Sequence, residues 1–123
     1  MTNNKSPFGE VVYSYTTKDA IEDGVLVDLR NIGKIPVYLP VYSGIRYATS
    51  ALMAKGYMEG GKPNLPNLAD LLVQVSLGIK KGLAKGEDRL FECRVEFPNG
   101  DRDKVWAVLN EEGTLTLMLP SDY

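Results

Sequence analysis

Residues 89–119 read RLFECRVEFPNGDRDKVWAVLNEEGTLTLML, and this stretch decides the fold class. Phe91, Cys93, Val95 and Phe97 alternate with Glu92, Arg94 and Glu96, the two-residue period of a strand with one buried face. Asn99-Gly100 lies at the centre of PNGD, a pair that accepts the positive φ angles of a tight hairpin turn. The return strand spans 104–109, EEG at 111–113 turns the chain again, and TLTLML at 114–119 alternates as a third strand. The product is a three-stranded antiparallel meander with one apolar face that needs cover.

Working outward, helical periodicity supplies the cover. Leu68, Leu71, Leu72, Val75, Ile79 and Leu83 form one stripe, predicting a helix over about 68–84 that opens on the Asn67/Asp70 cap spacing. Val73 and Leu77 widen that stripe to a second side, and Lys80, Lys81 and Lys85 suit the helix C-terminus. Pro40, with Val41, Ile45, Ala48 and Leu52, predicts a second helix over about 41–54. Between them YMEGGKPNLP, 57–66, reads as a surface loop, either a lid or an interface loop. Nearer the N-terminus, Thr16 and Asp19 have capping-box spacing, and a short helix ends at Gly24 before a strand at 25–29. Gly33 and Pro36 break that strand, 10–15 is extended, and 1–9 is a flexible tail. The expected architecture is a single α+β domain over 10–123, a mostly antiparallel sheet covered by two main helices and one short one.

Composition narrows the function classes. The chain has 123 residues, a net charge of −2, one cysteine and no histidine. So weak a charge argues against nonspecific nucleic-acid binding. Without histidine, the commonest general base and the commonest metal ligand are both missing. No stretch approaches the ~20 apolar residues of a membrane span, and MTNNKSPFGE lacks a signal-peptide core. The expectation is a soluble, cytoplasmic protein. Neither the GxxxxGK[ST] nor the GxGxxG pattern occurs, so no cofactor is implied.

The candidate site residues each have a structural reading beside the functional one. Cys93 is either a nucleophile or a buried thiol, and its place on an apolar strand face favours the second. Asp19, Glu22, Asp23 and Asp28 either gather round a cation or serve capping and the helix dipole. Tyr42, Arg46 and Tyr47, read as one side of the 41–54 helix, either hold a ligand's phosphate or carboxylate, contact a partner, or only edge a helix interface. Trp106 and Val108 face away from Val105, Ala107 and Leu109, and Met118 is likewise off the inward face. An apolar second face predicts a self-association surface and a homo-oligomer.

The stretch YSYTTKDAIEDGVLVDL, 13–29, together with LTLMLPSDY at the end, resembles a family of uncharacterised small proteins of phages, plasmids and other bacterial mobile elements. The residues carrying the resemblance are Tyr15-Thr16, Ala20, Asp23-Gly24, Val27-Asp28, Leu119-Pro120 and Asp122. It implies an accessory protein in a bacterial host cell that acts by binding, with counter-defence as the setting. Such a protein either sequesters a small nucleotide-like signal or masks a host defence protein. Two rivals stand beside that expectation: a small enzyme acting on a nucleotide or peptide through Asp19, Asp23 or Asp28, and a structural or replication-linked accessory protein. Tyr13, Tyr15 and Asp28, paired with LPSD, either lock the termini together or edge a pocket.

Overall fold

The computed structural model describes residues 16–31 and 42–123. The expected strands at 10–15, the tail at 1–9, the breaks at Gly33 and Pro36, and the sites Tyr13 and Tyr15 lie outside those residues. Alternation in the last third does produce the meander. Strands β5 (Leu90–Glu96), β6 (Arg102–Leu109) and β7 (Leu115–Met118) pair antiparallel, with Cys93 opposite Val105 and Ala107 opposite Leu117. Two more strands complete the sheet: β1 (Leu26–Asp28) and β2 (Ile45–Thr49), in the spatial order β1-β2-β7-β6-β5. β2 runs parallel to β7 and antiparallel to β1. The fold is α+β, as the sequence predicts.

The long helix α3 (Leu65–Ala84) covers one face of the sheet. Leu68, Leu71, Leu72, Val75 and Ile79 meet Ala48, Phe91, Cys93, Val95, Val105, Ala107, Leu115 and Leu117 in one buried cluster. The helix begins three residues before the expected start. Asn64, not Asn67, is the cap, accepting the Asn67 N–H at 3.0 Å, and Pro66 occupies the first turn where its missing N–H costs nothing. Two glycines let α3 lie close on β5. A Cβ at Gly78 would sit 2.6 Å from Cys93 Sγ, and one at Gly82 would sit 2.5 Å from Phe91 Cδ1.

The 41–54 helix is corrected by the structure. Residues 45–49 form β2, and only α2 (Ser50–Met53) is helical, capped by Thr49 Oγ1 on the Leu52 N–H at 3.2 Å. The cause is burial on both sides of an interior strand. Ala48 faces α3 while Tyr47 and Thr49 are buried toward the other face, so apolar positions no longer alternate and mimic helical spacing. The 57–66 loop is likewise more ordered than expected. Strands β3 (Met58–Glu59) and β4 (Lys62–Pro63) make a small hairpin around Gly60-Gly61, both at positive φ (56° and 79°). Tyr57, at its root, is 1% exposed within the core.

Candidate functional site

The second face of the sheet is where the sequence candidates converge. Strand register puts Asp28 beside Tyr47, Tyr47 beside Thr116, Thr116 beside Val108, and Met118 beside Trp106. Pleating then points Asp28, Tyr47, Thr116, Val108, Met118 and Trp106 to one side, away from α3. This face is partly covered by the chain itself. The short helix α1 (Thr17–Glu22) lies at one end, held by the expected capping box: Thr16 Oγ1 accepts the Asp19 N–H, and Asp19 Oδ2 accepts the Thr16 N–H, each at 3.2 Å. Gly24, at φ 76°, then turns the chain into β1. At the other end, the C-terminal 3-10 turn Pro120–Asp122 folds back, and the Tyr123 ring packs edge-on to Trp106 with centroids 5.4 Å apart.

The β6–β7 turn, read from sequence only as EEG, organises this face. Asn110 Oδ1 accepts the N–H groups of Glu112 and Thr114, and its Nδ2 donates to Thr114 Oγ1 and Thr116 Oγ1. Glu111 reaches α1: one carboxylate oxygen accepts the Thr17 N–H at 2.8 Å and the other accepts the Thr17 hydroxyl at 2.9 Å. Partial burial pushes the Glu111 carboxyl up, but the hydrogen bonds from Thr17 and from its own N–H outweigh that and hold it below its ordinary value. Glu112 turns the other way and accepts the Tyr47 hydroxyl at 2.5 Å. Burial first, then the Glu112 hydrogen bond and charge, raise Tyr47 to about 12.

Arg46 joins the same cluster but not as the sequence reading had it. Its guanidinium donates to Asp28 Oδ2 at 3.2 Å, lies 3.8 Å from Glu112 Oε1, and stands 4.9 Å above the Tyr47 ring. Its hydrogen bond to Asp28 is the main cause that raises its pKa. Two carboxylates therefore already neutralise Arg46, and the cluster carries excess negative charge. Its Nε is buried without a partner among the described residues. Tyr42 does not share a helix side with Arg46, because no helix is there. Its N–H donates to Ser76 Oγ on α3 at 2.8 Å and its ring folds over Gly44. Asp28 does not meet the C-terminal LPSD. That tie is made instead by Thr49, whose hydroxyl donates to Asp122 Oδ2 at 2.8 Å.

Between α1, the sheet and the C-terminal turn lies a shallow cleft of about 220 Å³. Its floor is Thr49, Thr116, Val108 and Met118, and its rim includes Val25 and Leu109, which are 45% and 36% exposed. Glu111 and Asp122 border it, and among the described residues no lysine or arginine does. The self-association residues from the sequence are thus accounted for in part within the chain: Val108 and Met118 line this cleft, and Trp106 is half-covered by Tyr123, its Nε1–H pointing to Glu92 at 3.3 Å. Sequence reasoning missed Thr17, Thr49, Glu111 and Glu112. The adjacent acids of NEEG were the available signal, but nothing local says which neighbour each carboxylate will reach.

Cys93 is fully buried against α3, and burial, with the charges of Glu87 and Glu92, raises its thiol to about 11. So protonated a thiol is a core group rather than a nucleophile. Among the described residues no three cysteine or acidic side chains converge as a metal site, and no helix is long and apolar enough to cross a membrane. No protein-family model matches the chain, and no curated protein or solved structure matches it.

Proposed function

We propose that the protein is a non-enzymatic accessory protein of a bacterial mobile element that acts by binding, and that it masks a host protein rather than sequestering a nucleotide. The setting rests on the sequence resemblance. The choice between the two binding modes rests on one observation: among the described residues, the second-face cleft presents exposed Val25 and Leu109, two carboxylates and no cation. A nucleotide's phosphates need arginine, lysine or free N–H groups, and Arg46, the one cation near this face's centre among the described residues, is already paired with Asp28 and Glu112. The cleft volume of about 220 Å³ also falls below the ~300–1,000 Å³ typical of small-ligand sites. An apolar side chain flanked by lysine or arginine fits that chemistry. The rival catalytic reading is weakened because Asp19 caps α1 and Asp28 holds Arg46, so neither is placed as an unengaged acid or base.

Two measurements test the choice. Purified protein is denatured and the released small molecules identified by mass spectrometry, and native protein is titrated calorimetrically with cyclic and linear nucleotides. The expected result is no stoichiometric release and no heat. A nucleotide released in stoichiometric amount restores the sequestration reading, and turnover of any substrate abolished by Asp28→Ala restores the catalytic one.

A further inference from the structure

Among the described residues, strand β5 is the long unpaired edge of the sheet, and its hydrogen-bonding groups are readable residue by residue. Arg89 accepts the Leu109 N–H and Phe97 donates to Asp101, so odd-numbered residues of β5 turn toward β6. At Glu96 the outward groups are closed by Gln74 of α3, whose amide both accepts the Glu96 N–H at 2.8 Å and donates to its carbonyl at 3.1 Å. By the same parity, the N–H and C=O of Glu92 and Arg94 point outward into a groove of about 570 Å³ between β5 and the flank of α3. An edge of this kind is a template for another strand.

We propose that this edge pairs with the same edge of a second copy of the chain, across a two-fold axis at Cys93, to give a continuous sheet through the dimer. Charge sets the register. Antiparallel pairing centred on Cys93 places Glu92 opposite the Arg94 of the second copy, and Arg94 opposite its Glu92, with four backbone hydrogen bonds between them. Centring one residue further on, at Arg94, would oppose Glu92 to Glu96 and Arg94 to itself. Within the chain Arg94 stands directly opposite Lys104, and no carboxylate of the described residues pairs with it. A second copy's Glu92 supplies that anion.

The flank of α3 is self-complementary about the same axis. Gln74 lies by Glu96, Gly78 by Cys93 and Gly82 by Phe91, so α3 runs antiparallel to β5. A two-fold at Cys93 therefore passes by Gly78. It brings Leu77, 60% exposed, against its own counterpart, and sets Asp70 toward the Lys85 of the second copy. The exposed leucine gains cover and the helix charges meet with opposite sign. This inference goes beyond the masking function and does not depend on it.

The experiment is a charge-swap complementation read by sedimentation equilibrium. Wild-type protein is expected to be a dimer. Glu92→Arg and Arg94→Glu each oppose like charges twice, and each is expected to weaken the homodimer roughly tenfold or more. Mixed in equal amounts, the two variants regain both opposite pairs and form a heterodimer near wild-type strength. In the wild type, amide hydrogen exchange at Glu92 and Arg94 is expected to slow as protein concentration rises, a readout that needs no variant. A wild type that stays monomeric, a dimer indifferent to both substitutions, or concentration-independent protection of those two amides, as from the chain's own N-terminal residues, overturns the proposal.

Discussion

Gly78→Ala separates helix propensity from packing, because the two act in opposite directions. In a helix interior alanine is favoured over glycine by about 1 kcal/mol. Here the new Cβ would lie 2.6 Å from Cys93 Sγ, 2.8 Å from its Cβ and 3.1 Å from its Cα. Favourable contact needs about 3.5–4.0 Å. Cys93 Sγ can rotate, but its Cβ and Cα belong to a strand paired to β6, so α3 itself must lift by several tenths of an ångström. Overpacking of this kind costs about 1–3 kcal/mol. The net loss is up to about 2 kcal/mol, or a Tm lowered by up to roughly 8 °C for a domain of this size. Thermal unfolding followed by circular dichroism measures it. A double-mutant cycle with Cys93→Ala should show a favourable coupling of at least ~0.5 kcal/mol, since removing Sγ relieves the nearest contact. A Tm raised by Gly78→Ala would refute the close approach of α3 to β5.

Three further outcomes follow from the polar groups. Tyr57→Phe should be neutral or stabilising by up to ~1 kcal/mol, because the Tyr57 hydroxyl is buried without a partner among the described residues. Tyr47→Phe should destabilise by about 1–2 kcal/mol in denaturant titration, because it leaves Glu112 without its phenol donor. Burial raises both phenols to about 12, so in the phenolate absorbance Tyr47 and Tyr57 should ionise late. A raised folded pKa means that their stabilisation is complete below about pH 10 and is lost as pH rises toward 12. Glu111 is the opposite case. Its depressed pKa gives stability that is complete above about pH 4.3 and is lost as pH falls through the lower folded value, so Glu111→Gln should flatten the acid limb.

The meander was legible because β5 alternates apolar with charged residues, β6 and β7 keep the two-residue period, and Asn99-Gly100 marks the first turn. The α3 stripe and the Thr16–Asp19 box were legible for the same local reasons. β2 was not, because an interior strand buried on both sides loses its period, and its parallel pairing to β7 leaves no local trace. At the site, Asp28, Arg46 and Tyr47 were found by residue type, yet the geometry that joins them is a strand pair and a distant turn rather than a helix side. Thr17 and Glu111 are 94 positions apart and Thr49 and Asp122 are 73 apart, separations over which spacing carries no information.

The central functional claim is that the second-face cleft receives an apolar side chain of a protein partner. Its rim residue Leu109 is 36% exposed and lies outside the main core, so Leu109→Glu changes the cleft with little effect on the fold. Wild-type and Leu109→Glu proteins are used in parallel to purify host proteins, and any partner recovered is then titrated against both by calorimetry. The expected result is a stoichiometric partner of the wild type that binds the variant at least about tenfold more weakly. A partner bound equally by both proteins, or no protein partner together with a nucleotide held by the wild type, would contradict the claim.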